Sequence, residues 1–94
     1  MEKLAVSLED VRSFLNITWQ DTARDERLKG YIKSSSLFLN GVAGEVIDFE
    51  DDLLARELLL NRVLYLDNQA LNDFGANYNR ELNELRIRYD TKQK

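Results

Sequence analysis

Residues 48–71 decide the fold: Asp48-Phe49-Glu50-Asp51-Asp52, then Leu53-Leu54-Ala55-Arg56-Glu57-Leu58-Leu59-Leu60-Asn61-Arg62-Val63-Leu64-Tyr65-Leu66-Asp67, then Asn68-Gln69-Ala70-Leu71. Four acids lead into the longest apolar segment of the chain. Acids suit the positive end of a helix dipole, and Asp48 is read as the N-cap with Glu50, Asp51 and Asp52 in the first turn. Leu53, Leu54, Leu58, Leu59, Leu60, Val63, Leu64, Tyr65, Leu66, Ala70 and Leu71 cover most of a helix circumference. A helix apolar nearly all round is buried on several sides. In a chain of 94 residues it is the centre of the core, or it also packs on other subunits.

Upstream, Ser7-Leu8-Glu9-Asp10 opens a first helix. Ser7 can cap, with Asp10 at the capping-box spacing, and Leu8, Val11, Phe14 and Leu15 recur at helical intervals before an end near Asn16. A second helix opens at Asp21 or Thr22, where Asp25 and Glu26 again suit the helix N-terminus. Leu28, Ile32, Ser35 and Leu39 share its face, with Tyr31 and Phe38 beside them. Gly41 is read as its C-cap with Gly44 just beyond, and Gly30 within it as a close helix crossing. Downstream, Gly75 is expected to break or bend the chain after Phe74. Tyr78, Leu82, Leu85 and Tyr89 then make an amphipathic stripe that faces the core or a partner. The expected fold is all-α: one small domain over residues 1–94, about four helices, a long buried third helix and an extended or helical C-terminal segment.

Composition removes whole chemistries. The chain has no cysteine, histidine or proline. The usual zinc ligands, a disulfide frame and Ser-His or Cys-His nucleophiles are therefore absent. Among carboxylate pairs, Glu50-Asp51-Asp52 and Glu81 with Glu84 are explained by helix electrostatics or solvent exposure, and no metal, cofactor or catalytic residue is expected. Gly41-Val42-Ala43-Gly44 lacks the Lys and Ser/Thr of a phosphate loop. No apolar run is long enough for a signal peptide or a membrane span, so the expectation is a chain made in cytoplasm with no membrane partner.

The net charge is −4, which argues against a free-standing DNA reader. Residues 45–52 hold five acids and no base, whereas residues 86–94 hold four bases and one acid. An acidic middle is thus joined to a basic end.

The order of these elements resembles the small head–tail connector (adaptor or head-completion) proteins of tailed bacteriophages. The resemblance is carried by Ser7-Leu8-Glu9-Asp10-Val11-Arg12-Ser13-Phe14-Leu15, the turn Asn16-Ile17-Thr18-Trp19, and Asp25-Glu26-Arg27-Leu28-Lys29-Gly30-Tyr31-Ile32. It continues through Arg62-Val63-Leu64-Tyr65-Leu66-Asp67, residues 71–78 and residues 82–86, and so spans nearly the whole chain. A proline-containing segment after the third helix of some members is absent here. The resemblance implies a virion protein of the neck without catalysis. Such proteins form a homo-oligomeric ring, commonly of twelve copies, under the portal protein. The ring extends the channel for passing double-stranded DNA, without sequence-specific binding, and joins the capsid to a stopper or tail-completion protein.

On that resemblance the C-terminal segment, residues 83–94, is expected to dock on the portal through Leu85, Arg86, Ile87, Arg88, Tyr89 and Lys92. Leu58, Arg62 and Tyr65 are expected at the subunit interface. Truncation after Leu82 is expected to spare the first three helices and abolish docking. An ordinary amphipathic last helix explains the same C-terminal residues. A small dimeric helical regulator or antitoxin-like binding module is the alternative reading of the apolar excess.

Overall fold

The computed structural model describes residues 5–18 and 21–92, with Thr91 and Lys92 described by backbone alone. Five helices follow one another: α1 (Leu8–Phe14), α2 (Thr22–Ala43), α3 (Leu53–Asp67), α4 (Leu71–Asn77) and α5 (Asn79–Lys92). No strand occurs among the described residues. The domain is flat, 45 × 31 × 17 Å along its principal axes.

The first three helices start at side-chain caps. Ser7 Oγ accepts from the Asp10 N–H, Asp21 Oδ1 from the Arg24 N–H, and Asp52 Oδ1 from the Ala55 N–H. Each satisfies a backbone donor that the helix itself leaves without a partner. The third helix therefore begins later than its acids suggest. Asp48 caps a preceding turn instead, where its Oδ1 accepts from the N–H groups of Glu50 and Asp51. Asp52 is the N-cap, and neither Glu50 nor Asp51 lies within the helix.

The helix ends also correct the sequence reading. Asn16 has φ 60° and Gln69 has φ 56°. At each, two backbone bonds close the helix: Asn16 N–H to Ser13 O and Ile17 N–H to Arg12 O, then Gln69 N–H to Leu66 O and Ala70 N–H to Tyr65 O. This is the paired-bond pattern of a Schellman end. Gln69 therefore stops α3 and makes residues 71–77 a separate helix, so that five helices stand where about four were expected. Gly75 lies inside α4 and does not break it; the break is at Tyr78. Gly41 lies inside α2, and Gly44, at φ 80°, is the cap. Gly30 is exposed, and a Cβ there would meet nothing within 4 Å, so no helix crosses it closely.

α3 contacts all four other helices and is the centre of the fold. Ala55, Leu58, Leu59, Arg62 and Val63 form its buried stripe. From α2 come Leu28, Ile32, Ser35 and Leu39, all fully buried, as their spacing predicts. Val11, Phe74, Leu85 and Tyr89 bring the remaining helices into the same core. An aromatic group pins the C-terminal half: Tyr65 meets Phe74 and Tyr78 edge-on at 5.7 and 5.8 Å, while Phe74 and Tyr78 stack at 5.0 Å. Ion pairs tie the rim. Arg56 bonds Asp10 at 2.7 Å between α3 and α1, and Arg24 bonds Asp67 at 2.8 Å between α2 and the end of α3.

Candidate functional site

The acidic middle and the basic end meet in space. Arg88 of α5 lies 3.6 Å from Asp52 Oδ1, and the Tyr89 hydroxyl donates to Asp52 Oδ2 at 2.7 Å. Burial acts to raise the Asp52 pKa. The Tyr89 hydrogen bond, the Ala55 N–H and the Arg88 charge outweigh it and hold this carboxyl below the ordinary carboxylate value. Burial, followed by the hydrogen bond to Asp52 and the charges of Asp52 and Glu45, pushes the Tyr89 hydroxyl up to about 12. The junction borders a small hollow of about 220 Å³ lined by Glu45, Asp48, Asp51, Asp52, Arg88 and Tyr89. A wider hollow of about 420 Å³ lies between α2 and the following turn, lined by Ser36, Asn40, Val46, Ile47, Phe49 and Glu50. Among the described residues no group of three or more acids is placed to hold a metal ion.

This geometry alters the reading of the C-terminal segment. Leu85 is fully buried and Tyr89 is 7% exposed, so both belong to the core of their own domain. Of the expected docking residues, Arg86, Ile87 and Arg88 have exposed side chains, and Ile87 is 59% exposed. The side chain of Lys92, the tail beyond it and Trp19 of the predicted turn lie outside the described residues. The stripe Tyr78, Leu82, Leu85 and Tyr89 faces inward. Truncation after Leu82 therefore removes core residues and cannot be treated as the removal of a separate arm.

The three expected interface residues separate in a similar way. Leu58 is buried among the other helices and offers a neighbour no surface. Tyr65 is half-buried in the aromatic group, where its hydroxyl accepts from Asn77 Nδ2 at 3.0 Å. Arg62 is of a different kind. It is only 8% exposed, yet it carries a charge. Its Nη1 donates to Ser35 Oγ at 3.0 Å and to Ser34 Oγ at 3.3 Å, and its guanidinium sits 4.5 Å above the Phe38 ring. Ser34 and Ser35 are the hydrogen-bond floor of an arginine niche.

Burial lowers the pKa of Arg62. Its Nε is buried without an acceptor. Phe38 is 40% exposed and the adjoining Leu37 is 62% exposed, so the niche continues into an open apolar edge on α2. Sequence reasoning did not single out Leu37 or Val46, and it placed Leu53 only among the apolar residues around α3. Each lies beside residues at helical or turn spacing, and only the fold reveals which side chains stay outside.

No protein-family model matches this chain, and neither the search of curated proteins nor that of solved structures finds a match. No helix among the described residues is long and apolar enough to cross a membrane.

Proposed function

We propose that this chain is a structural subunit of a phage neck: a head–tail connector that assembles as a ring under the portal protein. It extends the channel for double-stranded DNA and receives a stopper or tail-completion protein on its far side, in the virion and without catalysis of its own. The observation that carries this reading is the placement of exposed apolar side chains on several faces of one small flat domain. Leu37 and Phe38 lie on α2, Val46 and Leu53 flank the acidic turn, and Ile87 lies on α5 between two arginines. A subunit with a neighbour on each side and further partners along the channel needs contact surface on several sides. The helix order that carries the resemblance supports the same reading. Within it, portal contact falls to Arg86, Ile87 and Arg88, because Leu85 and Tyr89 are occupied by the core.

The test is negative-stain microscopy of the purified chain, alone and mixed with the portal protein of the same phage. Rings, or added density on the tail side of the portal, are expected. Dimers at high concentration together with no portal binding would overturn the connector reading in favour of a small helical binding module.

A further inference from the structure

We propose that Arg62 receives a carboxylate from the acidic turn, residues 48–52, of a second copy of this chain, so that copies join through two different faces. This deepens the connector reading and rests on it for its biological setting.

The first face is the arginine niche. Arg12, Arg24, Arg56 and Arg88 each have an acid partner, namely Asp25, Asp67, Asp10 and Asp52. Arg62 is the most buried of the five arginines compared, and among the described residues it has no carboxylate partner. Two neutral serines and an aromatic ring hold its side chain in place without neutralising it. A cation held in this way, at the edge of exposed Leu37 and Phe38, is ready for a carboxylate brought by a surface with apolar residues of its own.

The second face has that composition. Glu50 and Asp51 are exposed and have no basic partner among the described residues. Val46, which borders one hollow with Glu50 and the other with Asp51, is 83% exposed, and Leu53, which opens α3, is 71% exposed. Unpaired acids thus stand beside exposed aliphatic side chains, complementing an unpaired arginine beside an exposed leucine and phenylalanine.

Helical spacing places the two faces apart. On α2 the buried line is Leu28, Ile32, Ser35 and Leu39. At 100° per residue, Ser34 and Phe38 fall on one flank of that line. Ser36 and Asn40, which border the hollow shared with Val46 and Glu50, fall on the other. One chain therefore cannot neutralise its own Arg62 with its own acidic turn. A domain this flat also cannot offer opposite flanks to one neighbour together. Pairing of the two faces is head-to-tail, the type of contact that closes into a ring when the rotation allows.

The test uses two full-length variants, Arg62→Met and the double variant Glu50→Lys with Asp51→Lys, whose sites are buried and exposed respectively. Self-association is read by sedimentation velocity across protein concentration and salt. Wild type is expected to assemble, less so at high salt. Each variant alone is expected to associate at least about tenfold more weakly. An equimolar mixture restores one intact contact and should stop at a one-to-one dimer. Wild-type assembly by the double lysine variant, a mixture of two folded variants that fails to dimerise, or a wild type that stays monomeric would each overturn the proposal. The lysine changes lie on the surface, so the test stands even if Arg62→Met fails to fold. Portal binding is scored separately. Wild-type assembly and docking by the double lysine variant would remove this interface and leave the connector reading intact. Head-to-tail dimers in the mixture, with no portal binding by wild type, would do the reverse.

Discussion

Tyr89 donates its hydroxyl hydrogen to Asp52 at 2.7 Å, while the other oxygen of that carboxylate caps α3 at the Ala55 N–H. One carboxylate thus starts the central helix and fastens the last helix to it. A hydrogen bond to a charged group is worth about 1.5–3 kcal/mol, and a helix cap about 1 kcal/mol. Tyr89→Phe is therefore expected to lower unfolding free energy by about 1.5 kcal/mol, and Asp52→Ala by about 2–3 kcal/mol. Urea denaturation of both variants and their combination measures the coupling directly. Strict additivity would mean that the hydroxyl and the carboxylate do not act together.

The same pair fixes two limits in pH. An ordinary tyrosine ionises near pH 10, whereas in the fold Tyr89 is pushed up to about 12. Its contribution is therefore fully present below about pH 10 and is lost as pH rises toward 12. Asp52 shifts in the opposite sense, with a folded value below 3.8. Its contribution is present above the ordinary carboxylate value and is lost as pH falls through the lower folded one. Asp10, held low by its bond to Arg56, adds to the acid limb. Melting temperatures of wild type and Tyr89→Phe should differ by a constant amount from pH 6 to 9. The difference should shrink on both sides of that plateau. A gap that stays constant up to pH 12 would contradict the assigned role of the hydroxyl.

Leu85 tests whether α5 is core or arm. Its side chain is fully buried in the core. Replacing a buried leucine by alanine costs ~2–5 kcal/mol. For a domain of this size that is a large share of total stability. Leu85→Ala should lower the thermal midpoint sharply, and truncation after Leu82 should leave a chain without a cooperative transition by circular dichroism. A truncated chain that melts like wild type would restore the separate arm. Ile87→Ser, on the open face, should leave the midpoint unchanged and weaken portal binding.

The parts of this fold that are legible in sequence are those in which one residue type meets one physical demand. Ser7 and Asp21 cap because a short oxygen-bearing side chain can reach a free N–H, and Leu28, Ile32, Ser35 and Leu39 lie inward because helical spacing puts them on one face. Asn16 is readable as an end because asparagine tolerates the left-handed region. Gln69 adopts the same conformation with no such signal, so the division of α3 from α4 is hidden. The acids were readable as a helix start but not in register, since acids stand at four of the five positions from Asp48 to Asp52. The Arg62 niche was hidden for another reason: its parts come from two helices, and an arginine in an apolar run does not announce that its partners are serines. Burial of Leu85 and Tyr89 required knowing that α5 folds back onto α2 and α3.

Three backbone positions separate conformational from packing effects. Gly30 lies exposed inside α2 with open space where a Cβ would stand. Gly30→Ala is therefore expected to raise stability by about 0.5–1 kcal/mol. Gly44 has φ 80° and closes α2 through its N–H to Asn40 O at 2.8 Å. There an alanine side chain meets its own backbone in the left-handed region, and Gly44→Ala should destabilise by about 1 kcal/mol or more. Gln69 carries that strain already at φ 56°, so Gln69→Gly should stabilise by a few tenths to about 1 kcal/mol. The relevant measurement is the sign pattern in denaturation midpoints: up at residue 30, down at 44 and up at 69. A loss at Gly30→Ala would show that α2 meets a second surface there, one that the isolated chain does not supply.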